Sequence, residues 1–162
     1  IAALKGGTAD IAVVTTPTVR SASLTERVIR PVNEVAVCSP YFSSLANRQV
    51  SLSELTNYPL ISLGEDTKSF EFYSGFFYSK LFTAHGLPFQ PDIEAFTADQ
   101  ILPMVDADLG IGFVPEEFLQ SEDVNIIDLK EKIPERNIVL IKRKEQPLSV
   151  AAKELERLIE EC

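Results

Sequence analysis

Leu4-Lys5-Gly6-Gly7-Thr8-Ala9-Asp10-Ile11-Ala12-Val13-Val14, residues 4–14, is the stretch whose reading decides the fold class. Residues 1–7 read as the last turn of an amphipathic helix, closed by Gly6 and Gly7, because glycine enters the left-handed conformation that ends helices without a Cβ penalty. Residues 9–14 are nearly continuously apolar and rich in β-branched side chains, the pattern of a strand buried on both faces. The run stops at Thr15-Thr16-Pro17, a polar turn at the strand's C-terminal end. A helix passing through a tight turn into a buried strand is one step of an α/β layer.

Working outward, residues 24–30 and 33–39 read as strands, with Pro31 expected to break the chain between them. Ser51-Leu52-Ser53-Glu54 has the capping-box form and predicts a short helix reaching about residue 58, followed by a strand over 59–63 and an exposed loop over 64–68. From 69 to 85 the aromatics Phe72, Phe76 and Phe77, with Leu81 and Phe82, recur near helical spacing, and Gly86 supplies the stop. A strand over 92–96 leads to a second capping box, Thr97-Ala98-Asp99-Gln100. Pro103 requires the helix that follows to start late or to kink. Residues 110–115, 124–127 and 137–142 read as strands. Ser149 can cap a final helix whose Ala151, Ala152, Leu155, Leu158 and Ile159 form one apolar stripe. This alternation predicts α/β layers with mostly parallel strands. Residues 1–39 and 136–162 are expected to share one lobe and 40–135 to close as another. The runs 33–39 and 137–142 then carry the chain between lobes, and two crossings make a hinge.

The chain has 162 residues and is 45 % apolar, enough for one sizeable core or two small ones. With 24 acidic residues against 15 basic, its net charge of −9 repels a phosphate backbone, so this segment is not expected to hold DNA by itself. No apolar run approaches the roughly 18 residues that cross a bilayer. The distant Cys38 and Cys162 fit a reducing cytoplasm better than a disulfide framework. One histidine and two separated cysteines match no metal-ligand spacing, and nothing calls for a cofactor. A beginning inside a helix, without an initiator Met, reads as part of a longer polypeptide.

Four segments resemble the effector (substrate)-binding domain of LysR-type transcriptional regulators. They are Leu4-Lys5-Gly6-Gly7-Thr8-Ala9-Asp10-Ile11-Ala12-Val13; Val50-Ser51-Leu52-Ser53-Glu54-Leu55 with Pro59-Leu60-Ile61; Met104-Val105-Asp106-Ala107-Asp108-Leu109-Gly110-Ile111-Gly112-Phe113-Val114-Pro115; and Leu148-Ser149-Val150-Ala151-Ala152. They stand in the family's order across nearly the whole chain. The resemblance implies a fold similar to type 2 periplasmic binding proteins, two α/β lobes joined by two crossing strands, with a small-molecule effector in the cleft between lobes. It also implies a homodimer or homotetramer that reaches DNA only through a winged helix-turn-helix. That element, and the early strands of the first lobe, come before the first matched segment in the family pattern and have no counterpart here. The sheet edge so exposed is expected to pair with a second chain.

Ligands of open α/β sheets bind beyond the C-terminal ends of strands, where helix N-termini offer free N–H groups to an anion. By that rule, and by the resemblance, the effector-binding candidates are Thr15, Thr16, Pro17, Leu63, Gly64, Thr97 and Ala98. Ordinary turn chemistry also accounts for Thr15 and Thr16, helix capping for Thr97, and loop geometry for Gly64. His85, next to Gly86, reads as a helix-end residue suited to the dipole, not as a catalyst. The Phe70 to Phe82 aromatics read as core, with Phe70, Tyr73 and Tyr78 the ones that could line a cleft. The alternative class is a solute-binding protein of an uptake system on the same scaffold. An enzyme is the remaining class, for which none of the candidate residues is a general acid or base.

Overall fold

The computed structural model describes residues 1–18, 20–64, 73–119 and 124–161. The expected loop 65–68, the start of the aromatic helix at 69–72, Phe70, Phe72 and Cys162 lie outside them, as do the side chains of Tyr73 and Phe76. The chain forms two compact units, one of Ile1–Val32 with Arg136–Cys162 and the other of Asn33–Glu135.

Unit 1 opens with α1, Ala2–Lys5, ended by Gly6 and by Gly7 at a φ of +78°. Strands β1 (Ile11–Thr15) and β2 (Leu24–Val32) both pair antiparallel with β9 (Arg136–Arg143), which lies between them. On one face Leu4, Leu24, Val139 and Ile141 form a buried cluster that Ala12 and Val14 join. On the other lies α5 (Val150–Glu161), held to the sheet by ion pairs of Glu156 with Lys142 at 2.6 Å and of Glu160 with Arg27 at 2.8 Å. Ser149 caps that helix as expected, its Oγ accepting from Ala152 N–H at 3.3 Å.

Three expectations change in this unit. The strand buried on both faces is β9, with Val139, Leu140 and Ile141 at most 1 % exposed, whereas β1 is an edge strand whose Val13 is 47 % exposed. Pro31 does not break the chain: β2 runs through it to Val32, which an edge strand tolerates because one side of its backbone needs no ladder partner. The α5 stripe is split, with Ala152 buried and Ile159 half-buried, while Ala151, Leu155 and Leu158 face outward.

Unit 2 is built on a six-stranded sheet in the order β4-β8-β3-β7-β5-β6. In chain order its elements are β3 (Glu34–Cys38), a 3-10 segment Pro40–Leu45, β4 (Gln49–Val50), α2 (Leu52–Leu55), β5 (Leu60–Leu63), α3 (Tyr73–Ala84), β6 (Ile93–Ala95), α4 (Ile101–Asp106), β7 (Ile111–Pro115) and β8 (Asn125–Leu129). Residues 33–39, expected with the first lobe, belong here because β3 pairs with both β7 and β8. The first box is real, Ser51 Oγ accepting from Glu54 N–H at 3.2 Å, but its helix ends at Leu55.

The expectation of mostly parallel strands also fails. β5 is parallel to β6 and β7, and β4 to β8, but β3 runs against both its neighbours and β9 against both of its own. β3 and β9 are the first strands after the chain passes between units, and an apolar pattern does not encode strand direction.

Alternating side chains send Ala36, Leu60, Ile111 and Phe113 toward α3, whose Phe77, Tyr78, Leu81 and Phe82 complete one core. Val37, Ile61 and Val114 point the other way, onto Ile101 and Val105 of α4. Gly112 lets α4 lie close, since a Cβ there would stand 2.5 Å from Ile101 Cγ2 and 2.9 Å from Val105 Cγ2. Gly112→Ala should therefore destabilise the chain by about 1–3 kcal/mol, the usual cost of overpacking a core. A urea unfolding midpoint unchanged from wild type would contradict this packing.

Candidate functional site

Four of the expected residues converge in unit 2. β5 and β6 are parallel and in register, Leu63 opposite Ala95, so their C-terminal ends come out side by side. Gly64 follows one end and Phe96, Thr97 and Ala98 the other. Gly64 N–H donates to Ala95 C=O at 2.9 Å, extending the ladder by one bond. That amide is committed, and Gly64 does not offer its N–H to a ligand. Leu63 is half-buried and packs into the α4 core.

Thr97 and Gln100 form the capping box read from the sequence. Gln100 Oε1 accepts from Phe96 N–H at 2.9 Å and from Thr97 N–H at 3.3 Å. The turn Ala98–Gln100 is 3-10, and α4 begins only at Ile101, so Pro103 sits in its first turn where no N–H is needed. No acceptor among the described residues takes the Ala98 N–H.

Sequence reading missed Phe96, which is 93 % exposed and directly precedes Thr97. The period-two pattern marked it as a strand residue without saying that the strand ends one residue earlier. It also missed Glu94, whose carboxylate lies beside Gly64: a Cβ there would be 3.3 Å from Glu94 Oε2.

Thr15, Thr16 and Pro17 lie in unit 1, at the end of β1. Thr16 is bound on three sides by the start of β9. Its N–H donates to Asn137 C=O at 2.8 Å, its Oγ1 accepts from Asn137 N–H at 2.9 Å, and its carbonyl accepts from Arg136 Nε at 2.6 Å. Arg136 is buried, at 5 % exposure, and was not singled out from the sequence because an arginine beginning a strand gives no pattern signal.

A hollow of about 670 Å³ in unit 1 is lined by Lys5, Ser23, Arg143 and Lys144 among others. The strand register places it at the opposite end of the three-stranded sheet from Thr16. Its arginine is already engaged: the Arg143 guanidinium donates to the Leu4 and Ala9 carbonyls and pairs with Asp10 at 3.3 Å. It is structural, tying the α1 turn to β9.

The remaining candidates are structural too. His85 Nδ1 lies 2.9 Å from Leu81 C=O at the end of α3, as a helix-end residue should. Tyr78 is core, its ring 4.7 Å from that of Phe113 and its hydroxyl donating to Glu34 at 2.8 Å. Among the described residues no group of three or more His, Cys, Asp and Glu could hold a metal, and no helix is long and apolar enough to cross a membrane.

Two α/β units linked by two chain passages, with polar turns at the strand ends, define a mixed α/β protein of the type 2 periplasmic-binding-protein-like class. The family described as LysR substrate binding domain matches residues 1–162, and the chain belongs to it. That membership sets aside the solute-uptake alternative, since the family is one of transcriptional regulators. Solved structures agree on the fold. The CcmR regulatory domain of Synechocystis PCC6803 in complex with 2-PG is 15 % identical with a TM-score of 0.80, over 98 % of this chain and 75 % of that one. The effector binding domain of QuiR in complex with shikimate is 18 % identical with a TM-score of 0.76, over 98 % and 73 %. HinK, a LysR family regulator from Pseudomonas aeruginosa, is 18 % identical with a TM-score of 0.75, over 99 % of this chain and 55 % of its own. No curated protein sequence matches the chain.

Cys38 gives a local check on the unit 2 core. It is fully buried on β3, and burial pushes its thiol pKa up, so the reactive thiolate is scarce at neutral pH. A thiol reagent followed by peptide mass mapping should modify Cys38 only when the chain unfolds; rapid labelling of the native protein would contradict the burial.

Proposed function

We propose that this chain is the sensor of a LysR-type regulator and binds a small anionic metabolite through Thr15, Thr16 and Pro17 of unit 1 and Leu63, Gly64, Thr97 and Ala98 of unit 2. The observation that carries the reading is the convergence of the β5 and β6 ends, which gathers a capped turn, an open Ala98 N–H and an exposed aromatic ring, in a chain matched throughout by the effector-domain family. Phe96, 93 % exposed, adds an apolar side chain beside these turns. The CcmR domain in complex with 2-PG and the QuiR domain in complex with shikimate support a small-molecule effector. The chain acts by binding and not by turnover: no general acid or base stands among these residues. Binding biases a conformational equilibrium that the whole regulator transmits.

DNA recognition belongs to another part of the regulator, in keeping with the net charge of −9, and the protein works in the cytoplasm, where promoter DNA is. It does so as a homodimer or homotetramer. The exposed Leu155 and Leu158 of α5 and Val13 on edge strand β1 are the apolar surface that supports self-association.

A thermal-shift screen of small carboxylates, phosphate esters and inorganic anions tests the reading. At least one compound should raise Tm. Thr15→Val and Thr97→Val, each compared with its own unliganded Tm, should bind that compound about tenfold more weakly, the effect of losing one hydrogen bond of roughly 1.4 kcal/mol. Stabilisation by none of them, or equal binding by both variants, would contradict the proposal.

A further inference from the structure

We propose that the basic hollow of unit 1 is a second ligand site, separate from the strand-end turns, and that it takes a small phosphorylated metabolite carrying hydroxyl groups. The site lies wholly within unit 1 and does not rest on the effector reading above.

Three pieces of chain form the hollow, and hydrogen bonds fix them to one another. Lys5 stands in the last turn of α1, Arg143 ends β9 with Lys144 directly after it, and Ser23 directly precedes β2. The Arg143 guanidinium donates to the Leu4 and Ala9 carbonyls, which ties α1 to β9. Lys144 N–H donates to Ser23 C=O at 3.0 Å, which ties the end of β9 to the start of β2. The lysine stems are flexible, but the backbone that carries them is held in place. A volume of about 670 Å³ falls within the roughly 300–1,000 Å³ of small-molecule sites.

The charge of the lining points to the ligand. Elsewhere on the unit's sheet the cations are paired, Lys142 with Glu156, Arg27 with Glu160 and Arg143 with Asp10. Among the described residues Lys5 and Lys144 pair with no carboxylate, and Glu145, which lines the same hollow, pairs with neither. The buried Nε of Arg143 also meets no acceptor among the described residues. Donors on this wall thus outnumber the acceptors that the fold supplies. A single carboxylate that meets one exposed ammonium group is held weakly, because water screens the pair. A phosphate ester carries a charge nearer −2 at neutral pH and three acceptor oxygens, so it can engage two ammonium groups at once. Glu145 opposes further negative charge but accepts from hydroxyl groups, and Ser23 and Gln146 both donate and accept. That division suits a sugar phosphate better than a bare polyphosphate.

This site is distinct from the Thr16 turn. Ile11 and Leu24 lie opposite Lys142 and Arg143 at one end of the sheet, whereas Thr15 lies opposite Ile138 at the other. Along β1 alone the two ends are about 13 Å apart, at roughly 3.3 Å per residue. Amides at one end therefore report a ligand there without touching one at the other.

Titration calorimetry and amide chemical-shift mapping of the full chain test the site, with ribose 5-phosphate, inorganic phosphate, ribose and acetate as probes and a random-sequence DNA duplex as a polyanion. Ribose 5-phosphate should bind more tightly than phosphate, ribose or acetate, with shifts centred on Ser23, Lys144 and Gln146. Combining Lys5→Gln with Lys144→Gln should weaken it about tenfold, the scale of one charge-assisted hydrogen bond. Both side chains are exposed, so the variant should fold, which circular dichroism checks; each single substitution should weaken binding in the same direction. Lys153→Gln removes the same charge from the exposed side of α5 and should leave the affinity within about twofold. Binding of neither phosphate probe, shifts away from the hollow, unchanged affinity in the lysine variants or an equal loss in Lys153→Gln would overturn the proposal. So would DNA that displaces ribose 5-phosphate at lower concentration, which would make the hollow a polyanion contact. Shifts at Thr15 and Thr97 in the same spectra report the effector reading separately, so either can fail alone.

Discussion

Unit 1 depends on one long-range pairing. β9 inserts between β1 and β2 and supplies the hydrogen-bond partners of both, across more than a hundred residues of intervening chain. Val139, Leu140 and Ile141 are buried toward α1 on one side and α5 on the other, so this strand carries the unit's apolar core. Without it β1 and β2 have no shared neighbour. The same strand begins with Arg136 and Asn137, which hold Thr16 in place. Assembly of the core and presentation of the polar turn are thus one event: the register that seats Leu140 opposite Val13 also sets Asn137 against Thr16.

Unit 2 solves a different problem with the same alphabet. Its three parallel strands β5, β6 and β7 finish at one edge of the sheet, which is why Leu63 and Thr97, 34 residues apart in sequence, become neighbours in space. The glycines of the 110–112 segment make that arrangement compact. Gly110 lets the start of β7 pass the Pro59 carbonyl, to which a Cβ would approach within 2.5 Å, and Gly112 admits α4. A stretch that resembles a family signature is therefore a packing requirement, and the Thr97 turn is followed directly by the helix that Gly112 lets in.

Much of this was legible because it is local. The capping boxes at Ser51 and Thr97, the glycine ends of α1 and α3, and the tolerance of Pro103 in a first turn are all decided within four or five residues. What could not be read depends on partners far along the chain. The direction of β3 and β9, the edge position of β1 and the continuation of β2 through Pro31 follow from sheet order. The apolar stripe of α5 is split: Glu156 and Glu160 pair with Lys142 and Arg27 of the sheet, and Leu155 and Leu158 face outward. The strand-end rule pointed to turns at Thr16 and Thr97 that the structure forms, and passed over the residues beside them. Phe96, Glu94 and Arg136 have no sequence signal, because exposure at a strand end and burial beside a turn are tertiary facts.

The central claim is that these strand-end turns recognise a small anion. Amide chemical-shift mapping of the isotope-labelled chain during titration with a pool of small carboxylates and phosphates tests it most directly. The account predicts shifts at Thr15, Thr16, Leu63, Gly64, Thr97 and Ala98, besides those that phosphates cause at the unit 1 hollow. Shifts gathered only around Lys5, Ser23 and Lys144, or none with any compound, would contradict it.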